Sequence, residues 1–151
     1  MNDITLANTC SAKILLSFIA MISLLSGCAS SDNANKCGTV SAYIKPDTGQ
    51  YLYRTLVTHL DGIPVISRPN YVLPVGVHEF TVVELINSPE LKVSLAARGT
   101  KILTVNVEAD QRYHIAAQMF TDKIYVGRNS DFWQPVVFQQ ESHQCEIDPI
   151  P

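Results

Sequence analysis

Residues 37–151 of this chain read as a small all-β domain, a β-sandwich, on three grounds. Residues 28–151 hold 14 Val, 9 Ile and 8 Thr, a quarter of that stretch, and branching at Cβ stiffens χ1 and favours extended backbone. All eight prolines fall in the same stretch, each closing or interrupting a short segment. Nowhere does the 3.6-residue apolar period of a substantial helix persist.

The elements follow in order. Thr39–Lys45 is a first strand, closed by the turn residues Pro46-Asp47-Thr48-Gly49. Tyr51–Leu60 is a second, with Leu52, Leu56 and Leu60 on one parity. Asp61-Gly62 marks a tight turn, and Pro64 gives Ile63–Ser67 the character of an edge. Tyr71–Pro74 leads through Gly76 into His78–Ile86, whose apolar parity changes between Val82 and Val83. That change predicts a bulge or burial on both faces. Ser88-Pro89 could cap a helix, but the alternation of Leu91, Val93, Leu95 and Ala97 favours a strand. Leu103–Ala109 and Tyr113–Met119 alternate cleanly about Asp110-Gln111 and predict a hairpin with one buried face. Lys123–Gly127 and Phe132–Gln139 complete about eight short strands, a number and spacing that suit a sandwich.

Ahead of this domain lies one apolar run, Ile14–Leu25, with Lys13 at its leading edge. Its 12 residues are too few for a relaxed membrane span of about 20. They fit the apolar core of a secretory signal. Leu25-Ser26-Gly27-Cys28, which follows, resembles the lipobox of bacterial lipoproteins. The resemblance implies cleavage after residue 27 and lipidation of Cys28, with residues 1–27 as signal peptide. Three acyl chains on one cysteine suffice for stable anchoring. Ala29, rather than the Asp of inner-membrane retention, implies the outer membrane, with the domain facing the periplasm. Residues 28–36 are small and polar and read as a flexible tether.

Removing residues 1–27 takes one acid and one base, so the net charge of −3 is unchanged. The basic residues are scattered rather than clustered, which argues against nucleic acid as a partner. Of the four cysteines, Cys10 leaves with the signal and Cys28 carries lipid. Cys37 and Cys145 remain, and in an oxidising periplasm they are expected to form a disulfide. Two free thiols, or a metal site joining Cys145 to His143, are the alternatives.

Two passages resemble PEGA-type domains: His59-Leu60-Asp61-Gly62-Ile63-Pro64-Val65, and Leu73-Pro74-Val75-Gly76-Val77-His78-Glu79-Phe80-Thr81-Val82. Val105–Ala116, with Tyr113, is similar to their closing strands. The whole of residues 28–151, including Phe132-Trp133-Gln134-Pro135-Val136-Val137 and the late Cys145, also resembles small envelope lipoproteins of Gram-negative bacteria. These resemblances imply a transthyretin-like or immunoglobulin-like sandwich without catalytic activity, and they assign no functional residue.

Chemistry-bearing patterns are absent from the sequence. His59, His78, His114 and His143 lack metal-ligand spacing, and His114 falls on the polar parity of its strand. No nucleophile signature or phosphate loop is present. Glu79, Glu84, Glu108 and Asp110 fall where solvated charges normally sit. The expectation is therefore a non-enzymatic module without cofactor or metal, held to the membrane by its lipid and binding an envelope protein or glycan. The alternative is a structural accessory subunit of an envelope complex. Trp133 reads as core, whereas Tyr51 and Tyr53, beside the Gly49 turn, read as a surface for recognition.

Overall fold

Eleven strands make up the regular structure of residues 36–145, the part of the chain that the computed structural model describes. They are β1 (Cys37–Ser41), β2 (Leu52–Tyr53), β3 (Thr55–Leu60), β4 (Ile63–Pro64), β5 (Asn70–Pro74) and β6 (Gly76–Glu84). β7 (Lys92–Val93), β8 (Lys101–Val107), β9 (Gln111–Met119), β10 (Val126–Gly127) and β11 (Trp133–Ser142) follow. The fold is all-β, in three sheets. The first has the order β11-β9-β1-β5, with β2 also paired to β9; the second has the order β4-β3-β6-β8; β7 and β10 form a small third. The proposed signal, Cys28 and all but the last residue of the tether lie outside the described residues. Among the described residues no helix is long and apolar enough to cross a membrane.

One core joins the two larger sheets. Val40, Tyr71, Tyr113, Ile115 and Trp133 from the first meet Val57, Phe80, Val82, Val105 and Val107 from the second. Tyr71 and Phe80 touch edge to face, ring centres 5.7 Å apart, the arrangement that ring quadrupoles favour. Trp133 and Phe132 are fully buried.

Several local expectations are corrected. Residues 51–60 are two strands, not one: β2 pairs with β9 and β3 with β6, and the chain changes sheet at Arg54. Val57, not Leu56, points into the core. Segments 103–109 and 113–119 are not a paired hairpin, because β8 pairs with β6 while β9 pairs with β1 and β11. The turn at 108–110 carries the chain from one sheet to the other, and Tyr113 accepts the Glu108 N–H across it at 3.1 Å. In 91–97 only Lys92–Val93 is strand; Leu95–Ala97 is a 3-10 turn that buries Ala97 alone. The first strand begins and ends earlier than expected, at Cys37 and Ser41, and the last runs on to Ser142. Ile63–Ser67 and Lys123–Gly127 shrink to Ile63–Pro64 and Val126–Gly127.

The parity change in β6 also has a different cause from a bulge. β6 keeps a regular register with β8, and the irregularity lies on β3, between Val57 and His59. The inward row of β6 continues through Phe80 and Val82 to Glu84, whose side chain is 0% exposed. A carboxylate occupies the inner position, so the apolar pattern breaks while the strand does not.

Candidate functional site

Strand direction gives the fold two unlike ends. β1 and β9 run parallel, and β5 and β11 run against them. Cys37, Pro74, the start of β9 and the end of β11 therefore gather at one pole. This proximal pole is built from tight connections. Asp61-Gly62 joins β3 to β4 with both φ angles positive, 50° and 77°, as a two-residue hairpin loop of this hand requires. Gly76 (φ 146°) follows the single connecting residue Val75. Val75 N–H donates to the Lys36 carbonyl, binding the turn to the incoming chain.

Cys37 and Cys145 are joined by a disulfide at this pole, Cα atoms 5.5 Å apart and 108 residues distant in sequence. Asp110 reinforces the same junction. Its N–H donates to the Cys37 carbonyl, its carbonyl accepts from His143 N–H, and its Oδ1 accepts from Cys145 N–H. The backbone at Asp110 is left-handed (φ 54°), which Asp tolerates better than most residues. Gly38 lies against the same turn: a Cβ there would meet the Glu108 carbonyl oxygen at 2.4 Å and Val107 Cγ1 at 2.7 Å. Both ends of the described chain are thus stapled together.

The opposite, distal pole carries the long connections, 42–51, 85–100 and 120–132. β7 and β10 pair in parallel and, with Ser94 N–H donating to the Gly127 carbonyl at 2.7 Å, pin two of these loops to one another. Two open clefts lie here, divided by residues 87–92. The first, about 700 Å³, is lined by Leu52, Tyr53 and Leu85 together with Lys45, Arg54 and Asn87. No acid lines it, and neither cation has an ion-pair partner among the described residues. The second, about 480 Å³, is lined by Leu91, Met119, Phe120 and Ile124, with acids and bases both at its edge. There Tyr125 donates to Asp122 at 2.6 Å. That bond raises the phenol to about 12 and lowers the Asp122 carboxyl. Volumes of this order suit a peptide side chain or small ligand.

Tyr51 is exposed and does not line either distal cleft; its backbone is left-handed (φ 58°) and its carbonyl accepts from Met119 N–H. Such a conformation in a bulky residue persists only where its surroundings hold it. Tyr53 corrects the expectation of a second exposed ring. It is only 8% exposed and packs in the core, because it follows Tyr51 into a strand whose inner face it shares.

Other polar groups escaped the sequence. Glu84 Oε2 accepts from Ile86 N–H at 2.5 Å, and its Oε1 lies 3.3 Å from Arg98 Nη1, which also donates to the Ile86 carbonyl at 3.0 Å. The pair shapes the start of the 85–100 loop, and Glu84 is not the solvated charge expected. His114 is buried, contrary to its expected polar-face exposure, and its Nε2 lies 3.1 Å from Glu141 Oε1. Arg112 bridges Glu141 and His143 beside it. The His114 bond, with the nearby His114 and Arg112 charges, holds the Glu141 carboxyl below its ordinary value. At the proximal pole Asp61 accepts from Glu79 N–H and from His78, both at 2.8 Å, and its carboxyl is lowered accordingly. These clusters tie strands and turns together. Among the described residues no group of three or more His, Cys, Asp or Glu is placed to hold a metal.

The chain matches no family model, no curated protein and no solved structure. Its function is therefore argued from its own geometry.

Proposed function

We propose that this chain is a lipid-anchored envelope protein whose domain is a non-enzymatic binding module. In this reading residues 1–27 are removed, Cys28 carries the acyl chains, and the domain hangs in the periplasm from the outer membrane. Its sheets pack as a sandwich of the transthyretin-like or PEGA-like kind. The observation that carries the proposal is the polarity of the domain: Lys36, the disulfide and tight turns at one pole, and long loops with two clefts that have apolar lining at the other, while the cleft of about 540 Å³ beside the disulfide is lined mainly by polar groups. An anchored module presents its binding surface away from its anchor, and binding residues concentrate on loops held by a rigid scaffold. The disulfide supports an oxidising compartment. The partner is an envelope protein or glycan, and the unpaired Lys45 and Arg54 favour an acidic one.

Site-specific photocrosslinking tests this. A photoreactive amino acid at Thr48 or Asn87, both exposed at the distal pole, should capture an envelope component in living cells. The same group at exposed Ile63, beside the Asp61-Gly62 turn of the proximal pole, should not. Capture from Ile63 alone would overturn the orientation, and capture from none of the three would count against a binding module.

A further inference from the structure

The free edges of the two larger sheets are unequal. An edge strand offers unpaired N–H and C=O groups, and proteins usually blunt it with brevity, proline, a bulge or charge. β4 has two residues, one of them Pro64. β5 is bracketed by Pro69 and Pro74. β11 carries Pro135, a register shift between Val137 and Gln139, and Glu141. β8 differs. Its seven residues, KILTVNV, contain no proline and hold an unbroken register with β6. Among the described residues none of its backbone groups bonds to anything beyond that pairing. Its one charge is turned away from the edge, since Lys101 Nζ donates to the Trp133 carbonyl at 2.6 Å and lies over the Trp133 ring. On the outer face beside the edge Ile102 and Val77 are exposed, 58% and 69%, among the polar residues Glu79, Thr104 and Asn106.

We propose that β8 is an interaction edge and that its occupant is β8 of a second copy of this chain, paired antiparallel about a two-fold axis at Thr104. The sequence of the strand is suited to its own reverse. Pairing about Thr104 sets Thr104 against Thr104, a favourable cross-strand pair. Ile102 then faces Asn106, and Leu103 faces Val105. The pairing would extend a four-stranded sheet to eight strands. An isologous contact of this kind closes on itself, so it makes a dimer rather than a fibre.

Cysteine crosslinking of the full chain tests the pairing. In Thr104→Cys two thiols meet on the axis, since directly opposed Cα atoms in an antiparallel pair are about 4.5–5.5 Å apart. Oxidation should give a reducible species of doubled mass. The parent chain, which has every native cysteine, should not give it, and Asn106→Cys, whose opposite residue is Ile102, should give at least about tenfold less. Sedimentation of the full chain in density-matched detergent should show concentration-dependent dimers that Thr104→Lys abolishes, because it sets two cations on the axis. Thr104 is exposed, so that variant retains the fold. A chain that stays monomeric at every concentration, equal crosslinking at 104 and 106, or dimers indifferent to Thr104→Lys would each overturn the proposal. None of these results bears on the distal clefts.

Discussion

Gly38 offers the sharpest test of how the proximal pole is assembled. A methyl group at this position would sit 2.4 Å from the Glu108 carbonyl oxygen, 2.7 Å from Val107 Cγ1 and 3.0 Å from the Gln111 carbonyl oxygen. Two of the three obstacles are backbone atoms of the turn between β8 and β9. That turn cannot easily retreat, because Asp110 fixes it to Cys37, His143 and Cys145. Overpacking of this kind costs about 1–3 kcal/mol, and backbone obstacles place Gly38→Ala at the upper end. Replacing Gly by Ala in a strand recovers roughly 0.5–1 kcal/mol of backbone entropy. The net expectation is a loss of about 2 kcal/mol, or roughly 8 °C in Tm for a domain of this size. Urea unfolding followed by tryptophan fluorescence reads it directly, since Trp133 is fully buried. A change within about 0.5 kcal/mol, the usual range for an innocuous surface substitution, would refute the close approach of β1 to the turn.

Three further outcomes are expected. Replacing Cys37 and Cys145 together by Ser opens a loop of 108 residues and should cost about 4–5 kcal/mol in the chain-entropy view; equal stability of reduced and oxidised protein in the same urea titration would contradict it. Glu84→Ala strands the Arg98 guanidinium and the Ile86 N–H and should cost about 3 kcal/mol, whereas Glu84→Gln keeps an acceptor and should cost about 1 kcal/mol. Similar losses for the two would show that Glu84 acts by volume alone. Asp61 and Glu141, both lowered in the folded protein, contribute stability that is complete above their unfolded values of about 4 and lost as the pH falls through the folded ones. Thermal melts between about pH 5 and pH 2 should therefore be shallower in Asp61→Asn with Glu141→Gln than in the parent; parallel curves would remove these carboxylates from the acid limb.

What could be read in advance depended on whether local pattern or long-range pairing decided the matter. Tyr113, Ile115, Ala117 and Met119 alternate because they line the core face of β9, although His114 and Ala116 on its other face are buried too, and alternation reports a core face wherever the strand pairs. It says nothing of which strand lies alongside, so β8 and β9 looked like a hairpin although they belong to different sheets. The same blindness hid the break at Arg54, where both halves of 51–60 remain extended. In residues 91–97 the alternation reports burial only in part: Leu91 and Val93 pack against the core, Leu95 is exposed, and Ala97 is buried from a 3-10 turn rather than a strand. Buried polar groups were the harder loss. Glu84 and His114 hold inward positions beside Arg98 and Glu141, 14 and 27 residues away, which pair with them there, while Glu84 Oε1 and His114 Nδ1 accept or donate no hydrogen bond among the described residues. Tyr51 and Tyr53 are two residues apart and share a parity, but a left-handed residue at Tyr51 uncouples them. Gly38 gave no signal, since its constraint is a neighbour 70 residues further along the chain.

Membrane fractionation of Cys28→Ser tests the central claim most directly. The polar tether offers no second anchor, and acyl chains contribute about 0.8 kcal/mol per buried methylene. The parent should stay in the membrane pellet through washes with high salt and be released by detergent. The variant should leave that pellet for the soluble envelope fraction, or lose its acylated, cleaved form altogether. A Cys28→Ser protein that is still cleaved, still wholly in the pellet and still resistant to salt would show that lipid on Cys28 does not hold this domain to the membrane.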